Sequence, residues 1–246
     1  MFDDGIDIIV INCNNDGYIQ DCLQSITQNT QGRFNLIVVD QNSTDGSKEW
    51  VLNSGLASHI ILNKKNVGVG EARNQAVRVS RNPWIAFIDS DIIINDRNWL
   101  DKMWNYTSNN RIGFIETRVF LEKWDSGKQM FAGPAFCLLR RQCFNEVGFF
   151  DKKQFMYEDL DWYVRLEHSW WQVAYCPDTD VLHINHVTMK NTFEDKKWKE
   201  LVAQGDVLLK HKYKEEFLVE TLYTNTKRRW EQMEKVLKVN KEGVKL

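Results

Sequence analysis

The sequence lacks the cysteine pattern of a secreted or zinc-binding protein. Its five cysteines are odd in number, and no two of them form a Cys-x-x-Cys pair. A disulfide framework uses an even set of cysteines, and structural zinc sites use closely spaced pairs. We therefore expect neither feature, and because reduced thiols are typical of the cytoplasm, we expect a cytoplasmic protein.

Long hydrophobic runs are also missing. No stretch approaches the roughly 18 apolar residues that a transmembrane helix requires. The amino terminus has neither the basic leader nor the apolar length of a signal sequence. We expect no membrane-spanning segment, and peripheral contact with the inner membrane face stays open.

Neither sign of charge dominates. The formal net charge of −2 argues against a chain built as a whole to bind a polyanion. Basic residues are concentrated in residues 190–246, which contain 14 Lys or Arg and 10 Asp or Glu. Hydrophobic residues make up 43% of the chain, with ten Trp, which is the composition of an ordered globular protein.

Short β-branched runs alternate with segments of helical periodicity. This alternation predicts an α/β fold with a mainly parallel, doubly wound sheet. The predicted strands cover residues 6–11, 34–39, 59–62, 84–88, 112–120 and 135–140, with extended segments at 172–175 and 180–183. Because no repeat or flexible linker divides the chain, we predict one domain over residues 1–189 and a helical C-terminal extension over residues 190–246.

Two carboxylates follow the strand predicted at residues 84–88. In open α/β sheets, ligands bind at the carboxyl ends of the strands. Asp89 and Asp91 could both approach one hard cation there, and oxygen ligands favour Mg²⁺ or Mn²⁺ over zinc. An acidic turn without a ligand is the alternative, because Asp-x-Asp alone is ordinary loop chemistry.

Gly68 and Gly70 open a predicted helix. The segment contains neither Gly-x-Gly-x-x-Gly nor Gly-Lys-Ser/Thr, so it matches neither the dinucleotide fingerprint nor the P-loop.

Several motifs occur in a specific order, and their concurrence is more informative than any one of them. They are Asp40-x-x-Ser43-x-Asp45-Gly46-Ser47, Asn66-x-Gly68-x-x-x-Ala72-Arg73-Asn74, Asp89-x-Asp91, Gly133-Pro134-Ala135-Phe136, Tyr157-Glu158-Asp159 and Cys176-Pro177-Asp178 before His183. Over about residues 6–187 this series resembles the family 2 glycosyltransferases, which adopt the GT-A fold. The resemblance implies a donor-binding half at about residues 1–95 and an acceptor or catalytic half at about residues 96–189.

The resemblance also implies a metal site. Departure of a nucleotide diphosphate from a sugar needs its charge neutralised, and a Mn²⁺ or Mg²⁺ ion bridging the phosphates does this. In the family the second Asp of the pair is the principal ligand, here Asp91, with Asp89 nearer the ribose. His183 matches a further ligand; His186 is the alternative, and a histidine bonded to a backbone carbonyl is the simpler interpretation.

Nucleotide-sugar contacts are carried over from the family by position, with a UDP-sugar favoured. Asp40 would accept a hydrogen bond from a uracil-like N3, although one carboxylate does not fix the base. Asp45 and Arg73 are secondary contacts, for which turn stabilisation and a surface cation are the alternatives. The implied set is Asn12, Cys13, Asn14, Asp40, Asn42, Asp45, Arg73, Asp89, Ser90 and Gly133.

Catalysis is expected from the Glu-Asp motif. An attacking hydroxyl must lose its proton, and a positioned carboxylate supplies general-base catalysis. Asp159 is the predicted base, with Glu158 orienting it or replacing it; an acidic first turn that suits the helix dipole is the alternative. One base and a single displacement imply inversion at the anomeric carbon, and retention stays open.

Acceptor binding is less well defined. Residues 121–130 are predicted to form a mobile lid on the acceptor side. The acceptor can be a glycan, a lipid-linked sugar, a protein or a nucleic acid. The C-terminal helices, with their basic residues 227–229, are candidates for contact with a membrane face, a polyanion or a second subunit, and a solvated basic face is the default.

Two rival functions share some of these features. A sugar-phosphate nucleotidyltransferase also has a metal site at a strand end, but residues 12–17 lack the Gly-rich, Arg-containing loop of those enzymes. A non-catalytic module that binds sugar nucleotides or glycans is the other rival, and the presence of both Asp91 and Asp159 argues against it.

Overall fold

A single mixed sheet forms the centre of the molecule. The computed structural model describes residues 5–121, 130–131, 133–184 and 195–213. The strands are β1 (Ile6–Asn12), β2 (Phe34–Asp40), β3 (His59–Leu62), β4 (Trp84–Ile88), β5 (Ile92–Ile94), β6 (Ile112–Leu121), β7 (Met130–Phe131), β8 (Phe136–Arg140) and β9 (Gln172–His183). The helices are α1 (Tyr18–Asn29), α2 (Ser47–Ser54), α3 (Val69–Val79), α4 (Trp99–Trp104), α5 (Cys143–Val147), α6 (Glu158–Glu167) and α7 (Asp195–Lys212).

The first half of the sheet is parallel. Its strands lie in the order β3-β2-β1-β4, and every neighbouring pair is parallel. Strand β1 is buried on both faces, since Ile6, Ile8 and Val10 pack in one core cluster and Ile9 packs in the other. The predicted α/β fold is therefore confirmed, and the carboxyl ends of these four strands meet at one edge.

Beyond β4 the sheet is mixed. It continues β8-β6-β9-β5, with β8 antiparallel to both β4 and β6, and β6 parallel to β9. The two extended segments predicted at residues 172–175 and 180–183 form one strand, β9. Its pairing with β6 shifts register between Thr117 and Arg118, and the Thr117 hydroxyl lies 2.7 Å from the carbonyl oxygens of Cys176 and Thr179.

Strand β5 was not expected from the sequence. It follows Asp91 directly and pairs antiparallel with β9, with Ile92 opposite His183. The pairing is extended by a hydrogen bond from the Ile184 amide to the Asp91 carbonyl, at 3.0 Å. This short pairing brings the end of β9 beside the two carboxylates that follow β4.

Helices cover both faces of the sheet. Trp99, Leu100 and Met103 of α4 join Ile19 and Leu23 of α1 in one core cluster. The other cluster contains residues of α3, α5 and α6, among them Ala72, Ala76, Phe144, Trp162 and Leu166.

Several predictions fall outside the described residues: most of the lid at residues 121–130, the alternative ligand His186 and the basic residues 227–229. The division of the chain at residue 189 stays a prediction. Within the described ranges, the helices are too short or too polar to cross a bilayer.

A buried carboxylate holds the amino-terminal edge of the sheet together. Asp7 is 1% exposed. It accepts hydrogen bonds from the side-chain amides of Asn35 and Asn82, at 2.8 and 2.9 Å, and from the backbone amides of Arg81 and Asn82, at 2.7 and 2.8 Å. Asp7 thus ties β1 both to β2 and to the turn that precedes β4.

We expect Asp7→Ala to lower the free energy of unfolding by about 2 kcal/mol or more, because it removes four hydrogen bonds that a buried carboxylate accepts. Urea denaturation measures the change, and Asp21→Ala, on the exposed side of α1, is the control. Equal stability of the two variants would contradict this account of the edge.

Candidate active site

The turn after β4 forms the floor of the site. The Asp89 amide donates to the Ala135 carbonyl at 2.8 Å, and the Ile92 amide donates to the Asp89 carbonyl at 3.1 Å. Gly133, which is predicted to contact the nucleotide-sugar, begins the short 3-10 turn Gly133–Ala135. Ala135 of this turn accepts the first of these bonds. One bond to another segment and one bond within the turn therefore fix the backbone that presents the carboxylates.

Ser90 lies between the carboxylates and is buried. Its hydroxyl accepts a hydrogen bond of 2.8 Å from the side-chain amide of Asn15, which follows β1. Sequence reasoning did not single out Asn15, because a turn-forming asparagine in a polar loop gives no sign of a partner 75 positions away.

Asp89, Asp91 and His183 form a cluster of metal-ligand type. Their ligand atoms all lie within 4.8 Å of one another, and the His183 Nε2 atom is 3.0 Å from Asp91 Oδ1. Carboxylate oxygens suit Mg²⁺ and Mn²⁺, and an imidazole nitrogen adds a softer ligand that Mg²⁺ seldom uses. The two carboxylates and the imidazole therefore fit a divalent cation such as Mg²⁺ or Mn²⁺.

The charges of these groups influence one another. Burial by itself would lower the pKa of His183, but the hydrogen bond to Asp91 and the charges of Asp91 and Asp89 raise it overall. Burial raises the pKa of Asp89, and Arg73 and His183 oppose that rise. A cation placed among these groups would offset the cost of keeping the carboxylates charged.

Arg73 joins the two acidic motifs. It is 5% exposed, and its Nη2 atom lies 3.0 Å from Asp89 Oδ1, while its Nη1 atom lies 3.6 Å from Glu158 Oε1. The guanidinium also contacts the rings of Phe87 and Phe150, with distances of 5.3 and 5.8 Å to the ring centroids. The predicted contact of Arg73 with the nucleotide stays a prediction, and in this structure the guanidinium lies between the side chains of Asp89 and Glu158.

The glycines before and within α3 allow a close approach of the catalytic segment. A Cβ atom at Gly70 would lie 2.8 Å from the Glu158 side chain, and one at Gly68 would lie 3.0 Å from Phe155. Gly68 also has a φ of 86°, a conformation that favours glycine. The pair of glycines in a segment that matches no phosphate-binding motif thus has a packing role.

The predicted catalytic residues begin α6. Glu158 is 5% exposed, and burial raises its pKa to about 8; the charge of Asp159 adds to this rise and Arg73 opposes it. Asp159 is more exposed than Glu158, and its Oδ1 atom accepts a hydrogen bond of 2.8 Å from the Leu160 amide. The two neighbouring carboxyl groups therefore have different environments.

Asn12 and Asp40 lie deeper than expected. Both are 0% exposed, and the Asn12 side-chain amide donates to Asp40 Oδ2 at 2.7 Å. The Ser43 amide donates to the other oxygen, Asp40 Oδ1, at 2.9 Å. These bonds link the two loops in this structure. Because each carboxylate oxygen can accept more than one hydrogen bond, the contact of Asp40 with a uracil-like N3 stays a prediction.

The loop residues above this pair are closer to the surface. The Asn14 side-chain oxygen accepts from the Thr44 amide at 2.8 Å, and the Asp45 carboxylate accepts from the Asp16 amide at 2.7 Å. Burial by itself would raise the pKa of Asp45, but hydrogen bonds from Ser47 and from backbone amides outweigh this effect and lower the pKa overall. The loops after β1 and β2 thus hold each other in place.

Left-handed backbone conformations mark the edge of the site. Among the described residues other than glycine, Asn14, Asn42 and Tyr157 have positive φ angles, of 48°, 64° and 62°. Two of these follow β1 and β2, and the third precedes Glu158. Such conformations cost energy and concentrate at functional sites. Cys13, also in this region, lies 3.4 Å through its sulfur from the Asn66 side-chain amide.

Comparisons with known proteins agree with this geometry. The family model described as "Glycosyl transferase family 2" matches residues 7–159. Among curated proteins, glycosyltransferase GlyG of Streptococcus pneumoniae is 22% identical over 187 residues, which is 61% of this chain and 61% of GlyG. Glycosyltransferase GlyA of the same organism is 33% identical over 93 residues, 37% of this chain and 13% of GlyA. The chain covers 36%, 13% and 29% of the length of the first three curated relatives.

Solved structures show a similar fold. The S. aureus TarS fragment 1–349 in complex with UDP has a TM-score of 0.62 at 17% identity, covering 81% of this chain and 70% of that one. The mannosyltransferase PcManGT from Pyrobaculum calidifontis, in complex with GDP-Man and Mn2+, has a TM-score of 0.59 at 16% identity, covering 82% and 61%.

The raised pKa of Glu158 predicts a pH dependence of stability. The folded state keeps the Glu158 proton between the ordinary pKa of glutamate and about 8, where the unfolded chain has lost it, so stability falls as pH rises through this range. Glu158→Gln has no proton to lose at this position, so it should not show this fall in stability. We expect its stability relative to the unchanged protein to rise with pH, by on the order of 1 kcal/mol per pH unit.

Urea denaturation at pH values from 5 to 8 tests this expectation, with the exposed Glu146→Gln as the control. A relative stability of Glu158→Gln that does not change over this pH range would show instead that Arg73 keeps Glu158 ionised throughout.

Proposed function

Because the chain belongs to glycosyl transferase family 2, we propose that it transfers a sugar from a nucleotide-diphosphate sugar to an acceptor hydroxyl, with a divalent metal ion and with inversion at the anomeric carbon. The observation that carries this proposal is the clustering of Asp89, Asp91 and His183 beside the buried Arg73, which extends to Glu158. One edge of the sheet thus holds a metal-ligand set and a pair of candidate catalytic acids.

A UDP-sugar is the favoured donor. The neighbouring TarS structures contain UDP and UDP-GlcNAc, and PcManGT contains GDP-Man with Mn2+. At 15–17% identity these neighbours show the fold, so they support the class of donor by analogy. In this chain, Cys13, Asn14, Asn42 and Asp45 would meet the nucleotide, while Asn12 and Asp40 would hold the loops that carry them.

Asp91, Asp89 and His183 would hold Mn²⁺ or Mg²⁺, and the nitrogen ligand favours Mn²⁺. When bound, the ion would neutralise charge on the leaving diphosphate. Ser90 and the turn at Gly133 would keep the carboxylates in position. Arg73 would hold the side chains of Asp89 and Glu158 in place, since it contacts both.

Asp159 would remove the proton of the acceptor hydroxyl. It is the more exposed member of the acidic pair, whereas the raised pKa of Glu158 keeps that buried group protonated near neutral pH. A neutral Glu158 adds no second negative charge beside the base. One base on one side of the sugar corresponds to a single displacement, which inverts the anomeric carbon.

We expect Asp159→Asn to lower kcat for transfer about 100-fold or more, because an amide cannot accept the proton. Donor affinity should change less than about threefold, since the change is confined to the acceptor side. Calorimetric titration with UDP and a radiolabelled transfer assay measure the two quantities, and Asp101→Asn on the exposed side of α4 is the control. Retained turnover in Asp159→Asn would exclude Asp159 as the base.

The metal proposal predicts a ligand-dependent gain in stability. A ligand that binds only the folded state raises its melting temperature. We expect MnCl₂ with UDP to raise the Tm of the unchanged protein and of His59→Ala, an exposed control, but not that of Asp91→Ala. An equal rise in Asp91→Ala would place the metal elsewhere.

A further inference from the structure

Helix α7 lies outside the matched residues 7–159 and packs against the segment that carries the catalytic acids. Its inward face repeats every four residues, with Leu201, Gly205 and Leu209 buried. Gly205 is the closest point of approach, because a Cβ there would lie 2.8 Å from the Met156 carbonyl oxygen and 3.0 Å from the Tyr157 ring. Any larger residue would push the helix and this loop apart.

A glutamine reinforces the contact. The side-chain amide of Gln154, which is 2% exposed, donates to the carbonyl oxygens of Met156 and Gly205, both at 2.9 Å. One buried side chain therefore joins the loop before α6 to the middle of α7.

The end of α7 is attached by charge. Lys212 Nζ lies 2.6 Å from Asp151 Oδ2 and 2.9 Å from Asp161 Oδ1, and the Tyr213 hydroxyl donates to Asp161 Oδ1 at 3.0 Å. The Asp161 side chain is 2% exposed, and Arg165 contacts its other oxygen at 2.9 Å. Because the Asp161 carboxylate is buried, losing the Lys212 cation leaves it with fewer partners.

The segment between these two attachments needs outside support. Tyr157 adopts a left-handed conformation that L residues other than glycine and asparagine seldom take. Helix α6 begins at the next residue, and no side chain caps its amino terminus. Residues 151–157 contain no helix or strand of their own. The conformation that aims Glu158 at Arg73 therefore depends on packing from elsewhere.

We propose that α7 is a positioning element of the active site: through Gly205, Gln154, Lys212 and Tyr213 it clamps residues 151–161 so that Glu158 reaches Arg73 and Asp159 takes its place as base. The inference rests on the proposed function for the role of Asp159, but the clamp itself is a physical contact. Helix α7 then contributes to the reaction by positioning the segment that carries the catalytic acids.

The test uses matched substitutions in the full chain. Gly205→Leu and Lys212→Met disrupt the clamp, and Tyr213→Phe removes one hydrogen bond. Ala203→Leu and Lys210→Met make the same chemical changes at exposed positions of α7. Two measurements are made: hydrogen–deuterium exchange of peptides covering residues 151–161, without substrate, and kcat and donor KM for sugar transfer.

We expect amides of residues 157–161 to exchange about tenfold faster in Gly205→Leu and Lys212→Met than in their controls, and less so in Tyr213→Phe. The kcat of the clamp variants should fall between about 10-fold and 100-fold, since small misplacement of a catalytic group is costly. Donor KM should stay within about twofold, because the donor loops are not touched.

Unchanged hydrogen exchange in both Lys212→Met and Tyr213→Phe would overturn the clamp. A fall in kcat with an equally large rise in donor KM would also overturn it, because that pattern indicates general destabilisation. If Gly205→Leu does not fold, the other two variants carry the test. A chain that transfers no sugar but shows the exchange differences would contradict the proposed function and leave the clamp supported.

Discussion

The buried guanidinium of Arg73 is the constraint on which the site depends. A cation with 5% exposure is costly unless it is paired, and here the Asp89 carboxylate lies 3.0 Å from it and the Glu158 side chain lies 3.6 Å from it. The rings of Phe87 and Phe150 fix its plane. Because Asp89 belongs to the turn after β4 and Glu158 to the first turn of α6, one charge holds together two motifs that are far apart in the sequence. Gly70 permits this arrangement by leaving room for the glutamate.

The two halves of the sheet contribute different parts. Parallel strands of the first half bring the loops after β1, β2 and β4 to one edge. There Asn12 donates a hydrogen bond to Asp40, and Asn15 donates one to Ser90. The mixed second half supplies His183 through the pairing of β5 with β9. Helix α7 then closes over the segment before α6. The site is thus assembled from elements that span most of the described chain.

The parts that sequence predicts well are those with a local cause. Continuous β-branched runs indicate buried strands, so β1 to β4 and the acids that follow β4 could be expected. Strand β5 is a β-branched run of only three residues, and its pairing with β9 is what identifies it as a strand. The burial of Asp40 and Arg73 was missed for a related reason: position at a strand end or on a helix does not show which side chains meet. Links such as Asn15 to Ser90 depend on the folded arrangement, and no local pattern encodes them.

The irregularity in β9 gives the histidine a particular sensitivity. Side chains along a strand alternate between the two faces, so a one-residue change in the bulge between Cys176 and Asp180 would exchange the directions of every side chain after it. Leu182 or Ile184 would then face Asp91, and His183 would turn toward the opposite layer. The length of this segment, more than the chemistry of its residues, therefore decides whether a nitrogen ligand faces the carboxylates. Relatives that differ there by one residue would have to find that ligand elsewhere.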